Sequence, residues 1–255
     1  MLVDTHCHLF MDPLFRDVEG VLERAAEAGV GKVVVPAYDR ASWDMVADLS
    51  NFDAVFPALG LHPWKADEGL DPLALRDLLE STGSVAIGEI GLDSRVGEPS
   101  MDLQMEVFVR QLELALEMDL PVILHCRGAF EEMASVLGSG RFGGRLRGVM
   151  HAFSRGPELA GRFLDLGLHL AFGGAVTRPR AGRARRSAAG VPQDRILLET
   201  DAPSIGMEGL EPDEVEPAHV RRVAESLASL RDVTTDELAS VTTGNAERLF
   251  GIGPG

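Results

Sequence analysis

Short apolar runs rich in β-branched residues alternate along the chain with longer segments in which apolar residues recur every three or four positions. The short runs predict buried strands. They lie at residues 1–4, 32–36, 54–58, 84–88, 121–125, 148–151, 168–172 and 195–199. The periodic segments predict amphipathic helices. The clearest of them are residues 15–28, 73–80, 101–118, 157–166, 218–230 and 235–250.

The order of these elements predicts the fold. Eight strands separated by helices, each strand apolar throughout, indicate a parallel sheet whose two faces are covered. Eight such units in 255 residues match the number and size of a (β/α)8 TIM barrel. The competing fold, an open doubly wound sheet, is less favoured because no glycine-rich phosphate loop follows the first strand. We therefore predict an α/β protein with one domain over residues 1–255, a TIM barrel in regular or distorted form.

Composition and charge restrict the compartment and the binding partners that we expect for the protein. The formal net charge of −16 argues against broad, non-specific nucleic-acid binding, which needs a basic surface. No run approaches the roughly 18 apolar residues of a membrane helix, and Asp4 and His6 stand where a signal peptide has its basic start. The two cysteines do not make a disulfide framework, which agrees with a reducing compartment. We expect a cytoplasmic protein without membrane association, and no sequence feature indicates an obligate protein partner.

Ionisable side chains gather where the predicted strands end. In TIM barrels, catalytic groups lie at the C-terminal ends of the strands. Five of the seven histidines and two carboxylates hold such positions: His6, His8, His62, His125, His151, Glu89 and Asp201. His6 and His8 are two residues apart, so in an extended segment both side chains project from one face.

Each of these residues has an ordinary explanation when it is taken alone. A strand-end histidine is usually a capping or surface residue, and Asp201 or Glu89 could lie near the start of a helix. Four histidines and two carboxylates in one barrel mouth are different, because without a cation they would pay desolvation and compete for partners. The convergence therefore predicts a metal centre.

The motifs around these residues carry a family resemblance. They are Asp4-Thr5-His6-Cys7-His8-Leu9, Gly60-Leu61-His62-Pro63, Gly88-Glu89-Ile90-Gly91-Leu92-Asp93, Gln111-Leu112, Leu120-Pro121-Val122-Ile123-Leu124-His125, His151-Ala152-Phe153-Ser154, Ile196-Leu197-Leu198-Glu199-Thr200-Asp201-Ala202-Pro203 and Asn245-Ala246-Glu247-Arg248-Leu249-Phe250. In this order, and over nearly the whole chain, the sequence resembles the TatD family of metal-dependent hydrolases, within the wider amidohydrolase-like barrels.

The resemblance implies a binuclear site that holds two divalent ions. The implied ligands are His6, His8, Glu89 and Asp201 for one ion, and His125 and His151 with a bridging Glu89 for the other. Asp201 would accept the proton of an attacking water and Glu89 would join the two ions, so these two are the predicted catalytic residues. Zinc, magnesium and manganese are all compatible with such ligands.

Two residues near the mouth are candidates for substrate binding. His62 is placed to hydrogen-bond a phosphate, although it could instead cap the loop before Pro63. Arg127 follows a predicted ligand and could contact an anionic substrate, with an ion pair to Glu131 or Glu132 as the alternative.

Other residues are expected to act from behind the ligands or at the rim. Glu199 lies two residues before Asp201 and is predicted to orient a ligating histidine, and Asp93 is predicted to orient the loop in the same way. The arginine-rich segment 178–186 follows the seventh strand and fits either a phosphate-binding rim or a solvated helix face.

The resemblance implies a phosphodiesterase, a deoxyribonuclease that acts on nucleic-acid ends, with nucleic acid entering only as substrate. Two alternatives stay open. The same centre could hydrolyse another ester or amide, such as an aminoacyl ester on transfer RNA or a small metabolite, or the protein could bind metal without turnover as an interaction module. The chain departs from the family pattern at Ser94, Ser204-Ile205 and Val215-Glu216-Pro217, which keeps every predicted ligand but changes the expected substrate contacts.

Overall fold

A computed structural model describes residues 1–253 and contains the eight predicted strands. They are β1 (Leu2–Asp4), β2 (Val30–Pro36), β3 (Val55–Leu59), β4 (Ala86–Asp93), β5 (Val122–Arg127), β6 (Gly148–Met150), β7 (His169–Phe172) and β8 (Ile196–Leu198). The strands form one sheet in the order β1 to β8, and each neighbouring pair is parallel. The predicted TIM barrel is therefore confirmed.

Helices surround the sheet. They are α1 (Val18–Glu27), α2 (Arg40–Leu49), α3 (Pro72–Thr82), α4 (Met101–Met118), α5 (Phe130–Leu137), α6 (Pro157–Asp165), α7 (Gly182–Gly190), α8 (Val220–Arg231) and α9 (Thr235–Phe250). All six predicted helices are present, and α2, α5 and α7 add to them. The predicted first helix starts late because residues 14–17 form a 3-10 turn, after which the Asp17 side chain caps α1. None of the described helices is long and apolar enough to cross a membrane.

The barrel closes between its first and last strands, just beyond the ends of β1 and β8. The backbone N–H of Asp201 donates to the carbonyl of His6 at 2.9 Å, and the N–H of His8 donates to the carbonyl of Ala202 at 2.8 Å. We call the two segments that meet here, residues 5–8 and 198–202, the seam. Because the seam hydrogen bonds join their backbones, residues from opposite ends of the chain have a fixed relative position.

The barrel interior is filled by apolar side chains. One buried residue from each strand contributes to it, together with four residues from α9 and the turn after it: Val3, Val34, Ala58, Ala86, Ile123, Val149, Ala171, Leu197, Ala246, Leu249, Phe250 and Ile252. The α9 residues close the end at which the strands begin. Because apolar side chains fill the end of the barrel where the strands begin, polar side chains are expected at the opposite end, where the strands finish.

Candidate metal centre

Glu89 lies at the centre of the predicted site. This β4 side chain is 3% exposed, and its Oε1 lies 2.8 Å from both His125 Nδ1 and His151 Nε2. Its other oxygen, Oε2, is 3.3 Å from His6 Nε2. One carboxylate therefore contacts histidines from three different strand ends, as a bridging ligand must.

A second group of ionisable side chains lies at the seam. The Nε2 atoms of His6 and His8 are 3.1 Å apart, and Asp201 Oδ1 lies 3.8 Å and 3.4 Å from them, respectively. Asp201 has a left-handed backbone with φ of 53°, a conformation unfavourable for most non-glycine residues that persists where surrounding contacts hold it. The seam hydrogen bond from its N–H to His6 supplies such a contact.

His8 fits a divalent cation in its tautomer, and the pair of His6 and His8 fits one in its spacing. His8 Nδ1 lies 3.1 Å from the carbonyl of Pro36, so it carries the proton, and His8 Nε2 turns its lone pair toward His6. Two imidazole nitrogens that bind one ion at about 2.1 Å stand roughly 3–3.4 Å apart, close to the separation found here.

The ionisable groups divide into three sets that could each hold an ion. They are His6, His8 and Asp201; His6, Glu89 and His151; and His62, Glu89 and His125. All six ligands that the family resemblance implies are brought together, and His62 joins them, although we did not predict it as a ligand. Which of these residues bind metal, and how many ions they hold, stays a prediction.

The buried carboxylate of Glu89 requires a positive charge beside it. Burial alone would raise the pKa of Glu89, but the surrounding histidines hold it well below its usual range. Burial lowers the pKa of His6 to about 4. At His151 burial also acts to lower the pKa, but the charge of Glu89 outweighs it and raises the pKa to about 10. A proton on His151 or a divalent cation would each supply the charge that Glu89 requires.

Asp93 and Glu199 lie behind two of the histidines, where we predicted positioning residues. Asp93 Oδ2 is 3.6 Å from His125 Nε2 and accepts a hydrogen bond from Trp64 Nε1 at 2.7 Å. Glu199 Oε1 is 4.0 Å from His151 Nδ1, and burial raises the pKa of Glu199 to about 8. Both carboxylates face the outer nitrogen of a histidine at distances too long for a direct hydrogen bond.

His62 caps its loop, as one of our two alternatives expected, and its hydrogen bond to a phosphate stays a prediction. Its Nδ1 accepts a hydrogen bond from the Trp64 backbone N–H at 3.2 Å, which caps the turn beginning at Pro63. Its Nε2 points the other way and lies 3.4 Å from Glu89 Oε1. A side chain that caps its loop with one nitrogen therefore presents the other nitrogen to the site.

Arg127 lies at the exposed rim, and its Nη1 is 3.8 Å from Asp93 Oδ2. The alternative ion pair with Glu131 was wrong, because Glu131 pairs with Arg162 of α6. The helix α5 directs Glu131 outward to its neighbour α6 and away from the end of β5. Arg127 thus remains a candidate for substrate binding.

Three buried polar side chains were given no role in the sequence analysis. Asp4 accepts hydrogen bonds from the hydroxyl and the N–H of Thr200 at 2.6 and 2.9 Å. Gln111 accepts from the N–H of Leu61 at 2.7 Å and donates to its carbonyl at 3.1 Å, which fixes the loop before His62. Gln104 forms the same pair of bonds with the backbone of Asp93. The signal for Asp4 was its two-residue spacing from His6.

A cavity of about 300 Å³ opens beside the histidines. It is lined by His125, His151 and Asp201 of the predicted centre, and also by Arg127 and Arg155. A substrate in this cavity would therefore meet the predicted ligands and two guanidinium groups together.

A TIM barrel with histidines and carboxylates converging at its strand ends is the architecture of a metal-dependent hydrolase. Residues 3–251 match the protein family described as TatD related DNase. The chain belongs to this family, and the resemblance seen in its motifs is confirmed.

Individual relatives agree with that assignment. The chain is 37% identical over 258 residues to "Uncharacterized metal-dependent hydrolase YabD" of Bacillus subtilis, covering 99% of this chain and 100% of the relative. It is 32% identical over 269 residues to "Deoxyribonuclease TATDN3" of Homo sapiens, covering 98% and 94%. The crystal structure of YjjV, a TatD homolog from Escherichia coli, superimposes with a TM-score of 0.91 at 36% identity and covers 99% of this chain and 98% of that one.

Proposed function

We propose that the protein is a phosphodiesterase that hydrolyses nucleic acid at its ends at a centre of two divalent ions. The observation that carries the proposal is Glu89, whose two oxygens face different histidines, His6 on one side and His125 and His151 on the other. The description of the family and the name of the human relative support the choice of substrate.

The proposed ligands are those that the family resemblance implies. His6, His8 and Asp201 would hold one ion and His125 and His151 the other, with Glu89 shared and His62 near the second group. When bound, divalent ions would lower the pKa of water and would neutralise negative charge on phosphate oxygens. Zinc, magnesium and manganese can each have these effects.

The chain's own groups have distinct parts in this reaction. Asp201 is the proposed general base, since it borders the cavity and can accept a proton from the attacking water. Glu199 and Asp93 would keep His151 and His125 in place, and His62 and Arg127 would contact the phosphate. Each of these residues lies at the end of its strand, so the barrel orients them before a substrate arrives.

Size and charge support an end of a strand as the substrate. A cavity of about 300 Å³ is at the small end of the range for ligand sites and suits a terminal nucleotide better than the middle of a duplex. The net charge of −16 is unfavourable for long contact with a polyanion outside the cavity.

The proposal is tested by an assay of the metal-reconstituted protein with Mg²⁺, Mn²⁺ and Zn²⁺. The panel contains single-stranded DNA, RNA, model phosphodiesters and an aminoacyl ester. We expect hydrolysis of DNA ends that disappears in Glu89→Ala and persists in Glu106→Ala, an exposed glutamate on α4. Equal activity in the wild type and Glu89→Ala would reveal a contaminant and contradict the proposal. Hydrolysis of the aminoacyl ester and of no other substrate in the panel would favour the alternative function, a hydrolase of another ester.

A further inference from the structure

Arg155 is a partly buried cation with no anionic partner in the part of the chain that the structure describes. Its Nε is buried and lacks a hydrogen-bond partner. The guanidinium carbon lies 4.8 Å from the centre of the Phe130 ring, and the Arg155 carbonyl accepts a hydrogen bond from Ser187 Oγ at 2.7 Å. The residue is therefore anchored at its backbone by Ser187, and its guanidinium stacks on Phe130 but has no anion to neutralise it.

Other partly buried arginines of this chain are used differently. Arg231 donates to the carbonyls of Ala188 and Val191, both at 2.8 Å, and so ties α8 to the end of α7. Arg185 donates to the carbonyl of Val176 at 2.6 Å, and so ties α7 to the turn before it. Desolvating a guanidinium without such partners is unfavourable, which indicates that Arg155 has a function other than stabilising the fold.

The position of Arg155 indicates what that function is. It lines the same cavity as His125, His151 and Asp201, and Arg127 lines this cavity too. Asp201 is the single acidic residue among those lining this cavity. A ligand that reaches the metal centre through the cavity would pass the free guanidinium of Arg155.

We propose that Arg155 binds a second phosphate of the substrate, the one next to the phosphodiester that is hydrolysed. This inference rests on the proposed function, in which the substrate is a nucleic-acid end. A guanidinium presents paired N–H donors that match two phosphate oxygens, and stacking on Phe130 holds its plane. The preferred substrate is therefore an end that carries two adjacent phosphates, and a diester with a single phosphate is a poorer one.

Binding of product-like ligands tests this role without any turnover. Isothermal titration calorimetry on the Mn²⁺-loaded protein compares thymidine 3′,5′-bisphosphate with the 3′- and 5′-monophosphates. We expect the bisphosphate to bind roughly 10- to 100-fold more tightly than either monophosphate, as for hydrogen bonds to a charged group. In Arg155→Met, which keeps the unbranched stem, this advantage disappears. Arg155→Lys retains part of it, because lysine keeps the charge and loses the paired donors.

The matched control is Arg162→Met on α6, which removes an exposed arginine paired with Glu131 and keeps the preference for the bisphosphate. Circular dichroism confirms folding of each variant, and Arg155→Lys decides the question if Arg155→Met does not fold. Equal binding of all three ligands by the wild type, a preference retained in folded Arg155→Met, or a preference of full wild-type size in Arg155→Lys would overturn the inference. Hydrolysis of DNA without the preference contradicts only the role of Arg155, and the preference without hydrolysis contradicts only the proposed function.

Discussion

The Asp4 carboxylate accepts two hydrogen bonds from Thr200, 2.6 Å from its hydroxyl and 2.9 Å from its backbone N–H. Asp4 ends β1, whereas Thr200 follows β8 and precedes Asp201, so the pair bridges the seam. A third bond comes to Asp4 from the N–H of His6 at 3.3 Å. Asp4 thus fixes the relative positions of two predicted ligands without contacting the substrate cavity.

We expect Asp4→Asn to weaken metal binding by roughly 10- to 100-fold, the usual effect of losing a residue that orients ligands. The amide keeps the shape, but its NH2 group faces a donor of Thr200. The measurement is a metal titration, with Asp53→Asn, an exposed aspartate, as the control. Wild-type affinity in Asp4→Asn would show that the seam holds His6 and Asp201 without it.

Asp201→Asn separates metal binding from proton transfer. An amide oxygen can still ligate a cation but cannot accept the proton of water, so turnover should fall by roughly 10²- to 10⁴-fold while metal is retained. The measurements are metal content by mass spectrometry and the steady-state rate. Turnover near the wild-type rate would mean that another group serves as the base.

Metal removal should lower the thermal stability of the protein. Ligand at 100 times its dissociation constant stabilises a folded protein by about 2.7 kcal/mol per site. At roughly 2–4 °C per kcal/mol for a protein of this size, chelation should lower the melting temperature by roughly 5–10 °C for each site emptied. Differential scanning fluorimetry of the wild type and Glu89→Ala, each with and without chelator, measures the change. A shift of equal size in Glu89→Ala would place the stabilising ion elsewhere.

Gln111→Leu should destabilise the fold by roughly 2–5 kcal/mol, because the buried N–H and carbonyl of Leu61 would both lose their partners. Urea unfolding measures the change in free energy. The loop that carries His62 should shift as well, so the loss of activity should exceed what the unfolded fraction explains. A change in the free energy of unfolding below about 0.5 kcal/mol would mean that water replaces the amide.

The barrel and the gathering of ligands could be predicted from sequence because both depend on local signals. Apolar runs separated by amphipathic segments mark parallel strands, and strand ends in a barrel share one rim, so His125 and His151 could be placed together without knowing any contact. Helix α7 was only one of two alternatives for the arginine-rich segment 178–186, because its alanines and arginines have no apolar stripe of clear period.

The rest depended on contacts that no local pattern encodes. The pairing of Glu131 with Arg162 follows from how α5 packs beside α6, which the sequence near Arg127 does not reveal. In the sequence, Arg155 resembles any exposed arginine. That its guanidinium has no anionic partner follows only from where the acidic residues lie in the folded protein. The bonds of Asp4 to Thr200 join residues 196 positions apart.

Because the two sides of the seam are so far apart in the sequence, they are synthesised at different times. During synthesis His6 and His8 leave the ribosome long before Asp201 is added, and at 5–20 residues per second the interval is roughly 10–40 s. The nascent chain therefore carries only a fragment of the centre for most of its translation. Hydrolytic competence therefore arrives late, when the last strand joins the first.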